Sequence, residues 1–236
     1  RLSEADVEML KYKIYLFVFF LFGLCGYGIV TAQTSTLPLF GKVIYLDAGH
    51  GGSDPGALYK NIYEKDINLK IVQKLEEDLT QLGATVYLTR YGDYDVSVPN
   101  TINHKRNDLS RRGNMINKSG CDLYLSIHLN AETSSSWHGA EAYYDDIHPD
   151  NEKIAKIMQE EFKEHLYSKR KYKKTSRFYL SKRIERPGVL LEVGFLSNPN
   201  ERYLLKTDSY QQKISKTITG GVLRYFNDKK VFGILG

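Results

Sequence analysis

The chain has 236 residues, 42% of them hydrophobic and 26% charged, with a formal net charge of +5. That length accommodates one domain with an extension, and the apolar content excludes a long disordered chain. Two cysteines, Cys25 and Cys121, exclude a disulfide scaffold and a four-cysteine zinc module, and a charge of +5 does not by itself demand nucleic acid.

The chain opens on Arg1 and carries three acids before Met9, which is followed by Lys11 and Lys13; residues 14–30 then carry no charge. A start at Met9 would give a basic n-region, an apolar h-region and a small-residue site, Val30-Thr31-Ala32, before Gln33. The apolar run is shorter than the roughly 20 residues of a membrane span and slightly longer than the roughly 7–15 of a signal h-region. Leu24 before Cys25 speaks against a lipobox. Residues 1–32 therefore read as a signal peptide or signal anchor, with a buried core helix as the alternative. Either export reading sends the remainder across a membrane, which the protein then touches only through this segment. Residues 33–41, uncharged and containing Pro38, read as a linker; 42–228 as the folded domain; 229–236 as a C-terminal tail.

Within the domain, 42–47 (K-V-I-Y-L-D) predicts a buried strand running into a Gly-rich loop. Ile67, Ile71, Val72, Leu75, Leu79 and Leu82 align on one face of a helix that Gly83 ends. Residues 84–89 predict a strand, 91–103 a polar loop, 105–118 a helix and 122–128 (D-L-Y-L-S-I-H) another strand. A further strand is expected at 139–144. A helix over 152–166 aligns Ile154, Met158, Phe162 and Leu166, and 188–193 (G-V-L-L-E-V) is an apolar strand. A helix over 208–226 closes the domain, with Asp208 and Gln211 at capping-box spacing. Alternating strands and helices predict an α/β fold: one layered domain with a mostly parallel (mixed) sheet of about six strands and helices on both faces.

Ligands on such sheets sit where strands give way to loops. Three strand ends carry chemistry: His50 in D-A-G-H-G-G, His128 in S-I-H-L-N, and Glu192 in L-E-V-G. Glu64 stands just before the first helix of the domain. Two imidazoles and a carboxylate are a ligand set of catalytic zinc sites, and a second carboxylate near the metal can take a proton from water. Glu192 suits that second role, because an acid within an apolar strand is costly unless paired or used. Structural histidines at the strand ends, and a Glu192 paired with an arginine, are the plain alternatives.

At these residues the sequence resembles a known family. Residues 47–56 (D-A-G-H-G-G-S-D-P-G), 64–69 (E-K-D-I-N-L), Thr89-Arg90, 126–131 (S-I-H-L-N-A) and 191–201 (L-E-V-G-F-L-S-N-P-N-E) fall in the order of the zinc-dependent N-acetylmuramoyl-L-alanine amidases of the amidase_3 type. The match spans essentially 42–226 and looks most like the germination-specific amidases of endospore formers. Ala48, where the family usually has Pro, departs from the pattern without loss of a ligand. The resemblance implies one zinc ion held by His50, Glu64 and His128, with Glu192 as the catalytic glutamate. Asn130, near the metal in many relatives, is expected behind the ligands; Arg90 and Trp137 are weighed as supporting or substrate-binding residues. The implied reaction is hydrolysis of the amide between the lactyl group of N-acetylmuramic acid and L-alanine of the stem peptide. The implied setting is the spore cortex in the forespore intermembrane space, where a partner deacetylase completes muramic-δ-lactam and germination enzymes later recognise it. An accessory lipoprotein activator is a further implied partner. A zinc peptidase acting within the stem peptide and a non-catalytic peptidoglycan-binding protein are the alternatives.

Residues 163–186 hold ten basic and two acidic residues, a local +8 that leaves −3 for the rest. An anionic glycan, a lipid surface or a protein partner would answer to it, as would a merely solvated segment. No nucleic-acid-binding pattern accompanies it, so no nucleic-acid partner is expected. His104, His138, His148 and His165 read as surface or loop residues, Arg111-Arg112 as structural ion-pair formers or substrate contacts, and Cys121 as a buried small hydrophobe.

Overall fold

A computed structural model describes residues 3–30 and 37–234, without the side chains of 6, 22–30 and 229–234. The chain divides into two units, Arg1–Thr36 and Leu37–Gly236. The first contains helix α1 (Glu4–Val30), whose side chains are exposed as far as they are described. Among the described residues no helix is long and apolar enough to cross a membrane. Residues 31–36, with the end of the expected leader and the start of the expected linker, lie outside the description.

The second unit starts five residues before the expected boundary at Lys42. Leu39 is fully buried in the core, and its N–H donates to Leu82 O at 2.9 Å. The unit runs β1 (Val43–Ala48), β2 (Leu58–Tyr59), β3 (Ile62–Tyr63), α2 (Glu64–Gln81), β4 (Thr85–Leu88), α3 (His104–Ser119), β5 (Leu123–Asn130), β6 (Glu141–Tyr144), α4 (Asn151–His165), β7 (Lys173–Lys174), a 3₁₀ turn (Ser181–Arg183), β8 (Gly188–Phe195), α5 (Pro199–Leu205) and α6 (Asp208–Ile234). Six strands form one sheet in the order β4-β1-β5-β8-β6-β7; β6 and β8 pair antiparallel and the other neighbours parallel. β2 and β3 make a separate antiparallel hairpin.

Alternation along the strands gives the sheet two unlike faces. Ile44, Leu46, Leu125, Ile127, Leu191 and Val193 point into the main core beneath α2, α4 and α6. Fully burying each such side chain contributes about 1.5–3 kcal/mol. The residues between them, Asp47, Ser126, His128 and Glu192, share the opposite face with α3 and the 3₁₀ turn, where Tyr45, Ile116, Tyr124, Leu180 and Ile184 form a smaller cluster. One face carries the packing and the other carries the polar groups.

Two local expectations shift. The cap of α6 is Thr207, whose Oγ1 accepts from Tyr210 N at 3.4 Å, while the expected capping partner Gln211 turns its amide to Leu205 O. The helix continues to Ile234, through most of the expected tail. Gly83 does follow α2, at φ +94°, and its N–H donates to Thr80 O.

Candidate metal centre

The loop after β1 brings His50 to the start of α2. His50 adopts φ 63°, a costly conformation for a residue with a side chain, between Gly49 and Gly51. Its Nδ1 faces Asp54 Oδ2 at 3.0 Å and its Nε2 faces Glu64 Oε2 at 3.2 Å. Glu64, the first residue of α2, is buried and fixed on three sides: Ala57 N donates to Oε2 at 2.8 Å, and Leu129 N and Asn68 Nδ2 donate to Oε1 at 2.9 and 3.2 Å. His128, near the end of β5, places Nδ1 3.0 Å from Glu64 Oε1. One ligand atom from each of the three lies within 4.8 Å of the others.

The donor set suits zinc, and three further observations fit an ion among these atoms. The two imidazoles meet edge to face with centroids 4.9 Å apart. A Cβ on Gly49 would lie 2.3 Å from His128 Cε1, and one on Gly56 would lie 2.6 Å from Glu64 Oε2, so both backbones must approach the cluster bare. Glu192, register partner of His128, is buried with Oε2 lacking any hydrogen-bond partner. No arginine pairs with it among the described residues, so the plain alternative of a Glu192–Arg pair is not what the fold builds. Glu192, Glu64, His50 and His128 line one cavity of about 360 Å³, walled on the far side by Leu109 of α3 and the segment from Arg177 to Leu180.

The electrostatics follow from this crowding. Burial and the charge of Glu64 push the Glu192 carboxyl well above the ordinary range. Burial opposes ionisation of Glu64 too, but His128 and His50 outweigh it and hold its pKa well down. Burial disfavours the charged form of His50, yet Asp54 and Glu64 raise its pKa to about 9.

Residues 44–224 match the Amidase_3 family, N-acetylmuramoyl-L-alanine amidase. The chain belongs to this amidase family. It is 43% identical over 198 residues, 82% of this chain and 84% of the relative, to the germination-specific N-acetylmuramoyl-L-alanine amidase of Bacillus subtilis (strain 168). Among solved structures it is similar to the CwlD amidase of Clostridioides difficile in complex with the GerS lipoprotein: TM-score 0.76, 39% identity, covering 79% of this chain and 98% of that one. An N-acetylmuramoyl-L-alanine amidase of Clostridium difficile 630 matches with TM-score 0.72 and 30% identity, over 80% of this chain and 98% of that one. The protein is thus a hydrolase of amide bonds, with the layered α/β fold expected from its sequence.

Behind the amidase's histidine loop lie two buried arginines. Arg90 is inaccessible and spends its guanidinium on backbone carbonyls of Ala48, Gly49, Lys65 and Gly92 at 2.7–3.1 Å. It thus supports the loop from beneath rather than facing substrate. Arg112 of α3 donates to Asp47 Oδ1, Asp108 Oδ2, Ala48 O and His50 O at 2.7–2.9 Å. Arg111, beside it, donates to Val96 O. Asn130 ends β5 and its carbonyl accepts from Leu196 N; it is not among the residues lining the cavity. Trp137 is half exposed, with the Arg170 guanidinium 4.9 Å from its ring centre, and it too lies outside the cavity wall. His104, His138, His148 and His165 bond to their own loops and helices, away from the cluster. Cys121 is buried.

Sequence reasoning gave no role to Asp54, although its motif was in view. Arg112 does form the structural ion pairs expected of it, but its partners were not named, although the i−4 spacing from Asp108 was an available signal. Glu141 was missed as well; this buried carboxylate is the register partner of Glu192 on β6 and pairs with Lys173 at 2.7 Å.

Two predictions arise here. Gly49→Ala forces the His128 ring out of place, so zinc affinity should fall about 10–100-fold without loss of the circular-dichroism spectrum; unchanged zinc binding would show that the close approach is not needed. A zinc ion held by His50 would also have to displace that residue's proton. Below pH 9 the apparent affinity should therefore fall about tenfold per pH unit, with a proton released on binding. Calorimetry between pH 6 and 8 measures this, and an affinity flat across that range would remove His50 from the ligand set.

Proposed function

We propose that His50, Glu64 and His128 hold one zinc ion and that Glu192 is the general base in hydrolysis of the N-acetylmuramoyl–L-alanine amide of spore-cortex peptidoglycan. The observation that carries this reading is Glu192 Oε2. Of the buried side-chain oxygens without a partner among the described residues, it is the one lining the cavity of the His₂Glu cluster. Zinc, when bound there, supplies positive charge that polarises the amide carbonyl and acidifies the attacking water.

The remaining steps belong to side chains of this protein. Asp54 accepts from His50 Nδ1 and so leaves Nε2 for the metal. Glu64 keeps its two oxygens oriented through the Ala57 and Leu129 amides. Glu192 Oε2 takes the water proton and delivers it to the nitrogen of L-alanine as the amide breaks. Its raised proton affinity suits a group that must both accept and return a proton.

The similarity to a germination-specific amidase supports a cortex substrate, an exported location and a partner deacetylase acting on the bared muramic acid. The GerS complex of the similar clostridial amidase supports an accessory lipoprotein as partner. The test is incubation with purified cortex peptidoglycan and zinc, followed by mass spectrometry. Free stem peptides beginning at L-alanine, with matching peptide-free muramic acid, are the expected products. Cuts within the peptide would reassign the protein as a peptidase, and sacculus binding without release would reassign it as a binding protein.

A further inference from the structure

The basic run 163–186 separates in the fold into two parts with different fates. Lys173 and Arg170 turn inward to Glu141 at 2.7 and 3.6 Å, and Lys174 pairs with Asp146 at 2.8 Å. Arg177 and Arg183 find no carboxylate within 4 Å among the described residues. Neither does Arg106 of α3, which meets Tyr179. Arg106 and Arg183 gather around Tyr179. Arg106 Nε donates to its hydroxyl at 3.1 Å and stacks 5.5 Å from its ring centre; the Arg183 guanidinium lies 3.6 Å from that centre and donates to Tyr179 O. Arg177 and Tyr179 both line the cavity that holds the His₂Glu cluster and Glu192.

Guanidinium groups without acidic partners repel one another, and the stacking of Arg106 and Arg183 on one tyrosine offsets this only partly. Such an arrangement gains most from a ligand with several carboxylates, because the planar fork of arginine matches a carboxylate in a bidentate way. In the proposed substrate the muramic acid carboxyl is consumed in the amide bond and the N-acetylated sugars are neutral. The free carboxylates therefore lie on the stem peptide.

We propose that Arg177 and Tyr179 on the cavity wall, with Arg106 and Arg183 packed on Tyr179, form a carboxylate-recognition subsite that binds the peptide side of the scissile amide. This rests on the amidase reading above. The subsite fixes direction: the anionic peptide lies along the wall of α3 and residues 177–183, and the neutral glycan is left to the other side of the cavity.

The experiment measures equilibrium binding of a free stem peptide by the full chain, alongside the same peptide with its carboxylates converted to carboxamides. The wild type should bind the acid form about tenfold tighter, a preference that shrinks as salt is raised. Arg106→Gln with Arg177→Gln should raise Kd for the acid peptide about tenfold and leave the carboxamide peptide alone; Arg177→Lys should recover part of the loss. On peptidoglycan the same double variant should show its defect in KM rather than kcat. Equal binding of both peptides by the wild type, undetectable binding of either, or an equal loss for both in the variant overturns the subsite. Failure to release peptide while the acid preference persists would sink the amidase reading and leave the subsite standing.

Discussion

Glu192→Gln is expected to lower turnover on cortex peptidoglycan by about 10²–10⁴-fold while zinc stays bound at one ion per chain. The substitution keeps the size and burial of the side chain and removes only its capacity to take a proton. A variant that cleaves at the wild-type rate would remove Glu192 from the reaction, and one that loses its zinc would make Glu192 a ligand. The same change should act on stability in the opposite direction. Burial, with the charge of Glu64, raises the Glu192 pKa well above its ordinary value, so the charged form is disfavoured in the folded metal-free protein. The wild type therefore loses stability as pH rises above the unfolded-state pKa, and the glutamine variant does not. Thermal unfolding of both metal-free proteins should show the difference moving in favour of the variant as pH rises above about 4.5 and that pH-dependent part vanishing below it.

The largest loss of stability should come from Arg112→Met. Arg112 and Asp47 each have side chains 1% exposed, and Arg112 also neutralises Asp108. Removing one member of a buried pair leaves the other charge uncompensated, at a cost of about 3–5 kcal/mol. Burial alone would raise the Asp47 pKa, but Arg112 first, with His128 and Ser126, holds it below its ordinary value. In the wild type Asp47 thus contributes stability above about pH 4, lost as pH falls through its depressed pKa. Without Arg112 that contribution reverses sign. Urea unfolding at pH 5 and pH 8 checks both points, and a variant within 1 kcal/mol of wild type at both would show that the network is dispensable. Loss of the Arg112 bond to His50 O should also loosen the histidine loop and weaken zinc binding.

The parts of this architecture legible in the sequence are those whose signal is local. His50, His128 and Glu192 sit at or near strand ends, and the apolar runs leading to them marked those strands. The helix faces were legible because Ile67, Ile71, Leu75 and Leu79 repeat at helical spacing. What stayed hidden depends on contacts distant in sequence. Arg112 lies on a helix of mostly polar residues, and only the fold turns it onto Asp47, 65 positions away. Leu39 sits in an uncharged stretch that reads as a linker until Leu82 is seen to accept its N–H. The strands of the β2–β3 hairpin are two residues each, too short for an alternation pattern, with Lys60 at φ 55° making the turn. Asp208 was the expected cap of α6, but Thr207, one position earlier, takes that place, with its hydroxyl also donating to Leu204 O of α5. Arg177 and Arg183 were visible only within a summed charge and Arg106 not at all, because composition does not say which cations find partners.

Glu64 is oriented by two backbone amides and Asn68, His50 by Asp54, and the loop between by Arg90 and Arg112. A chain whose ligands are positioned this way does not need the ion in order to fold, unlike small zinc modules that are unstructured without it. Loss of the ion is then a ligand dissociation from an intact host, and EDTA should silence the protein reversibly, with its far-ultraviolet spectrum preserved. The melting temperature should drop only by the amount that mass action assigns to the zinc concentration removed. On the proposed reading such a protein can be exported empty and charged afterwards, and the free zinc of the compartment where it works would set how much of it is active.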